Sequence, residues 1–210
     1  MKLILLGAPG AGKGTQAEVL SKRLNIPTIS TGNILRTAVK DQTPIGLKVK
    51  SLMDTGKLVP DDVIIGIIAE RVSKKDCANG YILDGVPRTI AQAEALEASG
   101  IFFDDVVSIE ISDGEIEQRM TGRRTCTQCS TTFHVIANPP KREGICDLCG
   151  GELILRSDDA LETVRHRLEI YHKETEPLKD FYKSRGVLRV IHNQPTIETT
   201  SKVVLQTLGL

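Results

Sequence analysis

Leu3, Ile4, Leu5 and Leu6 run without a polar break into Gly7. A short continuous apolar run closed by glycine suits a strand buried on both faces of a parallel sheet. A glycine-rich turn follows, then Thr15–Leu24 spaces its apolar positions as a helix does and Ile26–Ser30 returns to a short strand. From Asn33 to Thr55 the pattern predicts two short helices broken at Thr43-Pro44, because the residue before proline is driven out of the helical region. Val63–Val72 reads as a helix started by Pro60 and Asp61-Asp62. Tyr81–Asp84 is a third strand ending in an acid, Thr89–Ala98 a helix and Val106–Ile111 a fourth strand. Ser112-Asp-Gly-Glu115 has capping-box spacing and opens a helix toward Arg123. Leu161, Val164, Leu168, Tyr171, Leu178 and Phe181 or Tyr182 mark one face of a single long helix. Val187–Ile191 is the fifth strand, and Ile197–Leu208 is the closing helix.

Strands alternating with helices, with the glycine-rich turn Gly7–Thr15 between the first strand and its helix, predict an α/β fold: a P-loop NTPase-like parallel five-stranded sheet with helices on both faces. Ligands of such sheets bind beyond the carboxyl ends of the strands, where Gly7 and Asp84 fall. The core comprises 1–29, 60–121 and 160–210, interrupted by two insertions, 30–59 and 122–159. The second is rich in Cys, Gly, Pro and Thr and reads as a lid.

Gly7-Ala-Pro-Gly10-Ala11-Gly12-Lys13-Gly14-Thr15 has the strand–turn–helix context of a phosphate-binding loop. Its small residues let backbone N–H groups approach phosphate oxygens, and the helix N-terminus adds partial positive charge. Lys13 reaches the outer phosphates and Thr15 helps hold Mg²⁺; Gly14 between them departs from the general pattern. A glycine turn without a ligand is the bland alternative. Asp84 either holds the waters of Mg²⁺ or merely caps a turn.

Composition narrows the partners. Basic and acidic residues balance at 27 each, so no global field draws the chain to nucleic acid or an anionic membrane. Aromatics are 3% of the 210 residues, too few for base stacking along a single strand. No run of 18 apolar residues is present, and Met1–Gly7 is too short for a signal peptide, so a cytoplasmic location is expected. Four of the five cysteines form Cys126-x₂-Cys129 and Cys146-x₂-Cys149, the spacing of a zinc ribbon and of a closed, structural Zn²⁺ site. Free thiols or two disulfides are the alternative; His134 and Cys77 read as structural.

From the phosphate loop through Gln16-Ala17, the sequence resembles adenylate kinases, in particular the bacterial type with a long, metal-binding lid. The resemblance continues through Thr31-Gly32, Arg36, Lys57-Leu58-Val59, Asp84-Gly85-Val86-Pro87-Arg88, Gln92, Gly122-Arg123-Arg124, Arg156-Ser-Asp-Asp159 and Arg167. It implies that 30–59 is the nucleoside-monophosphate-binding segment. There Thr31, Gly32, Arg36, Lys57, Leu58, Val59, Gly85, Val86, Pro87, Arg88 and Gln92 bind AMP, with Gln92 reading the adenine. It also implies that Arg123, Thr132, Phe133 and Pro195 join the phosphate loop on ATP, and that Arg156 and Arg167 close on the phosphates from the AMP side. The implied catalytic set is Lys13, Arg88, Arg123, Arg156, Arg167 and Asp84. Asp158 and Asp159 either orient Arg123 and Arg156 or cap the next helix. Asn33 and Val86 depart from the Asp and Phe commoner in the family.

The expected function is therefore transfer of the terminal phosphoryl group of ATP to AMP by a monomer that uses Mg²⁺ and carries structural Zn²⁺. A kinase of another nucleoside monophosphate is the nearest alternative. A nucleic-acid-binding P-loop protein with a zinc ribbon is the alternative from another class.

Overall fold

The computed structural model describes residues 1–210. Its centre is a parallel sheet of β1 (Lys2–Leu6), β2 (Thr28–Ser30), β3 (Tyr81–Asp84), β4 (Asp105–Glu110) and β8 (Leu188–His192), in the order β2-β3-β1-β4-β8. Side chains alternate across it, as the pleat requires. Ile4 and Leu6 point into an 18-residue apolar cluster on one face, while Leu3 and Leu5 point into an 11-residue cluster on the other. Burial on both faces explains why β1 is apolar at consecutive positions.

Helices α1 (Lys13–Leu24), α4 (Asp61–Val72), α5 (Ile90–Ala98) and α9 (Ile197–Thr207) cover the sheet, while α6 (Asp113–Thr121) packs Ile116 and Met120 into a separate cluster with Val164, Leu168 and Tyr171. Between β2 and α4 lies the helical pair α2 (Thr31–Lys40) and α3 (Pro44–Asp54). Pro44 opens α3, where its missing N–H costs nothing, and Thr43 caps the helix by accepting from the N–H of Gly46. The capping box expected at Ser112 is present in part: its hydroxyl accepts from the N–H of Glu115 and donates to the Glu115 carboxylate.

Two features differ from the sequence reading. The single long helix expected from 161 to 182 is instead α7 (Leu161–Ile170), a π-helical turn at Tyr171–Thr175 and α8 (Leu178–Ser184). Pro177 supplies the reason, since it cannot donate to the preceding turn and its ring crowds that turn's carbonyls. The second insertion carries its own antiparallel sheet, β5 (Arg123–Cys126), β6 (Thr132–His134) and β7 (Leu153–Ile154), in the order β6-β5-β7. Its strands are too short for period-two patterning to stand out in sequence.

The chain leaves β1 and β3 toward opposite sides of the sheet, because β1 leads to β2 and β3 leads to β4. That divergence opens a crevice beyond Leu6 and Asp84, where the site lies.

Candidate active site

The loop after β1 is shaped by glycine. Gly7 has φ 136°, and a Cβ there would stand 2.6 Å from the carbonyl oxygen of Ile109. Gly12, the N-cap of α1, has φ 96°, a region closed to most side chains. The turn carries Lys13 back over itself: its Nζ donates to the carbonyls of Gly7 (2.7 Å) and Ala8 (2.8 Å). Burial lowers the Lys13 pKa to about 8, opposed by Asp84 and reinforced by Arg88, Arg167 and Arg123. Asp84 Oδ2 lies 3.6 Å from where a Gly14 Cβ would sit, which sets the carboxylate against the first turn of α1. Thr15 lines the same cavity.

Two cavities meet at this point. The larger is walled by Gly10, Ala11, Gly12, Lys13, Gly14, Thr15, Asp84, Arg123, Thr132, Phe133, Arg156 and Pro195. The smaller lies between α2–α3 and the ends of β3 and α5. Thr31, Gly32, Arg36, Lys57, Leu58, Val59, Gly85, Val86, Arg88, Gln92 and Arg167 line it. Arg36, Arg88 and Arg167 belong to both walls, so three guanidinium groups stand where the cavities join. Arg156 and Pro87, expected on the AMP side, line only the larger cavity.

Electrostatically the junction is unbalanced. Lys13, Arg36, Arg88, Arg123, Arg156 and Arg167 face the carboxylates of Asp84, Asp158 and Asp159. Six cations against three anions leave a local excess of positive charge in a chain whose formal net charge is zero. Burial, followed by repulsion from its neighbours, pulls the pKa of Arg88 downward, and burial does the same for Arg36, Arg156 and Arg167. A bound polyanion relieves that repulsion.

The two aspartates after Arg156 position arginines. Fully buried Asp159 accepts from Arg123 Nε at 2.8 Å and from Arg123 Nη2, and meets Arg167 Nη1 at 3.4 Å. Asp158 pairs with Arg167 Nη1 at 2.9 Å. Neither caps α7, whose N-cap Ala160 has no side-chain bond. Arg156, the other candidate partner, is held by Thr125, whose hydroxyl accepts from Nε at 2.8 Å. Asn33 still provides an acceptor, taking a 2.6 Å bond from Arg36 Nη2, and Val86 is buried in the wall of the smaller cavity. Arg119, absent from the sequence-derived set, lines the larger cavity and donates to Asn193 Oδ1 at 3.3 Å. Its only signal in sequence was its place one helical turn before Arg123.

In the second insertion, the sulfur atoms of Cys126, Cys129, Cys146 and Cys149 all lie within 4.8 Å of one another. Cys126–Cys149 at 3.4 Å and Cys129–Cys146 at 3.6 Å are too long for disulfides and close to the edge of a ZnS₄ tetrahedron, about 3.8 Å for a Zn–S bond of about 2.3 Å. The N–H of Gln128 points at Cys126 Sγ, a contact that favours a thiolate. The donor set fits zinc. His134 takes no part: its Nδ1 accepts from the N–H groups of Ile136 and Ala137. Cys77 is buried apart from the cluster.

A phosphate loop below an arginine-lined junction of two cavities defines a nucleotide-binding phosphotransferase site. The family model for adenylate kinase matches residues 5–187. Over the full length of both chains, the sequence is 58% identical to an adenylate kinase of Caldicellulosiruptor bescii and 55% identical to one of Caldicellulosiruptor saccharolyticus. It is 54% identical to an adenylate kinase of Carboxydothermus hydrogenoformans over 94% of each chain. The chain belongs to the adenylate kinase family.

Proposed function

We propose that the protein moves the terminal phosphoryl group of ATP to AMP, giving two ADP, reversibly. The observation that carries this reading is the set Arg36, Arg88 and Arg167 at the junction of two cavities, one of which opens on the phosphate loop. ATP takes the larger cavity, with its phosphates on residues 10–15, and AMP takes the smaller. An oxygen of the AMP phosphate attacks the γ-phosphorus, the bond from that phosphorus to the β–γ bridging oxygen breaks, and the electron pair leaves with the new ADP.

The attacking oxygen is already anionic, so no general base is required. The obstacle is repulsion among about six negative charges on the two nucleotides. Lys13, Arg88, Arg123, Arg156 and Arg167 oppose it from fixed positions; one arginine on a transferring phosphoryl group contributes roughly 10³–10⁵ in rate in related chemistry. Asp158, Asp159 and Thr125 hold three of these arginines before substrate arrives, which is the preorganisation that electrostatic catalysis needs. Thr15 and Asp84 offer the hard oxygen donors that suit hydrated Mg²⁺, which when bound neutralises phosphate charge. Zn²⁺ on the four cysteines keeps the lid folded and takes no part in the chemistry.

Residues 30–59 and 122–159 act as two covers that exclude water, to which the phosphoryl group would otherwise be lost. They already touch: Lys40 Nζ donates to the Thr127 carbonyl at 3.0 Å, and the Ser157 hydroxyl donates to Asp54 Oδ1 at 2.9 Å. No helix is long and apolar enough to cross a membrane. We read the working form as a cytoplasmic monomer without nucleic-acid partners, a reading supported by the balanced charge.

The test is ADP formation from MgATP with AMP, UMP, CMP or GMP, and with no acceptor. Strong turnover with AMP alone is expected. Preference for another base would overturn the choice of acceptor, and hydrolysis without acceptor would overturn phosphotransfer.

A further inference from the structure

Gln92 is 2% exposed, yet it lines the smaller cavity, and both ends of its amide are engaged. Its Oε1 accepts from the backbone N–H of Arg88 at 2.7 Å, and its Nε2 donates to Asp61 Oδ1 at 2.7 Å. The other oxygen of Asp61 receives the Thr89 hydroxyl at 3.4 Å. A carboxylate only accepts and a backbone N–H only donates, so these partners admit one orientation of the amide. One lone pair on Oε1 and one N–H on Nε2 remain for a ligand.

That orientation has a chemical consequence. The Watson–Crick edge of adenine presents a donor at position 6 and an acceptor at position 1. A 6-oxo purine presents the reverse. An amide free to flip satisfies either edge with the same two atoms, whereas a locked amide satisfies one and opposes the other. We propose that Asp61, at the start of α4, is a positioning residue for base choice: it locks the Gln92 amide so that the site accepts a 6-amino purine and rejects a 6-oxo purine. This deepens the proposed function and rests on AMP occupying the smaller cavity with its base toward Gln92. Asp61 touches no reacting atom and acts only through Gln92.

The experiment compares AMP with IMP, whose purine differs at position 6 and in the proton on N1. The quantity read is the inhibition constant of IMP against AMP, divided by the KM of AMP. Asp61→Asn supplies a side chain that pairs with the amide in either orientation and leaves the Arg88 N–H as the one partner opposing the flip, so this ratio is expected to fall severalfold, up to about tenfold, equivalent to about 1.4 kcal/mol. The KM of AMP rises, while kcat and the KM of MgATP hold. Asp62→Asn removes a neighbouring charge from the same exposed helical turn and leaves the ratio unchanged, which separates the lock from the helix dipole. Gln92→Leu lowers the ratio at least as far, and adding Asp61→Asn to it lowers the ratio no further, since both act through one amide.

A full ratio in Asp61→Asn beside a collapsed ratio in Gln92→Leu would overturn the role of Asp61 and leave the base reading standing. An equal fall in Asp62→Asn would overturn it as well. An unchanged ratio in Gln92→Leu would remove the base reading itself, and with it the lock.

Discussion

The parallel sheet and the lid bind opposite ends of the same problem with unlike materials. Around the sheet, two clusters of 18 and 11 buried residues, mostly Leu, Ile, Val and Ala, form from the strands and the helices packed on them. The lid has one cluster of four, Cys126, Phe133, Cys146 and Leu153, and half of it consists of cysteines from the two Cys-x₂-Cys pairs. A region that small does not bury enough apolar surface to offset the entropy of ordering its chain. Yet it must hold Arg123 and the neighbourhood of Arg156 in place over the phosphates. The sheet therefore owes its order to hydrophobic burial; on the proposed Zn²⁺ coordination the lid owes its own to the four cysteines, and the two are then expected to fail under different insults.

Removing metal tests that difference hardest. Zinc binding contributes about 10–16 kcal/mol in isolated zinc-finger peptides. Chelation, or Cys146→Ser, is expected to unfold the lid while the main thermal transition persists. Turnover falls by about 10²-fold or more, the cost of losing alignment at a reacting centre. Zinc analysis and calorimetry on one sample check this; a single transition that moves as a whole with zinc content would end the comparison.

The converse variant is Leu83→Ala, at a fully buried position of β3, expected to destabilise the sheet domain by about 2–5 kcal/mol. One bound zinc per chain and near-normal activity below the transition should survive. Denaturant titration read against zinc content decides it.

A smaller effect lies in pH. Lys13, with its pKa lowered to about 8, is charged below that value and neutral above it. The kcat/KM for MgATP, which reports the free enzyme, should therefore fall as pH rises through about 8. Stability moves the other way. Between about 8 and 10.5 the unfolded chain keeps a proton that folded Lys13 has released, so this group makes the ligand-free protein more stable as pH rises. Lys13→Met removes both slopes. Parallel pH profiles of rate and melting temperature would show whether they share one group.

The smallest effect is expected where the covers meet. Lys40→Met and Asp54→Ala remove exposed contacts between the α2–α3 pair and the lid region, and each should change kcat less than about threefold. A larger change would mean that these contacts, rather than substrate, hold the covers together.

Much of this was legible from local pattern. The five strands read as apolar runs and the phosphate loop as glycines at fixed offsets from Lys13, because both depend on near neighbours in the chain. The clustering of the four cysteines read likewise, since each Cys-x₂-Cys pair is a local turn. The long helix did not survive, because apolar spacing on one face continues through Pro177 while the backbone hydrogen bonds do not. The lid sheet was missed because its strands are two to four residues long.

What the chain determined by itself was a parallel α/β fold, a glycine-rich loop at the end of β1, a four-cysteine cluster, and an arginine set recognisable by resemblance. Tertiary structure alone decided which partner each of those residues keeps. Asp159 lies 36 residues from Arg123, Thr125 lies 31 from Arg156, and Asp61 lies 31 from Gln92. Sequence spacing carries no information about such pairs, because a side chain's hydrogen-bond partner depends on which elements pack together. The same packing sets three arginines between two cavities, and charge repulsion there becomes useful only once the whole fold has enclosed it.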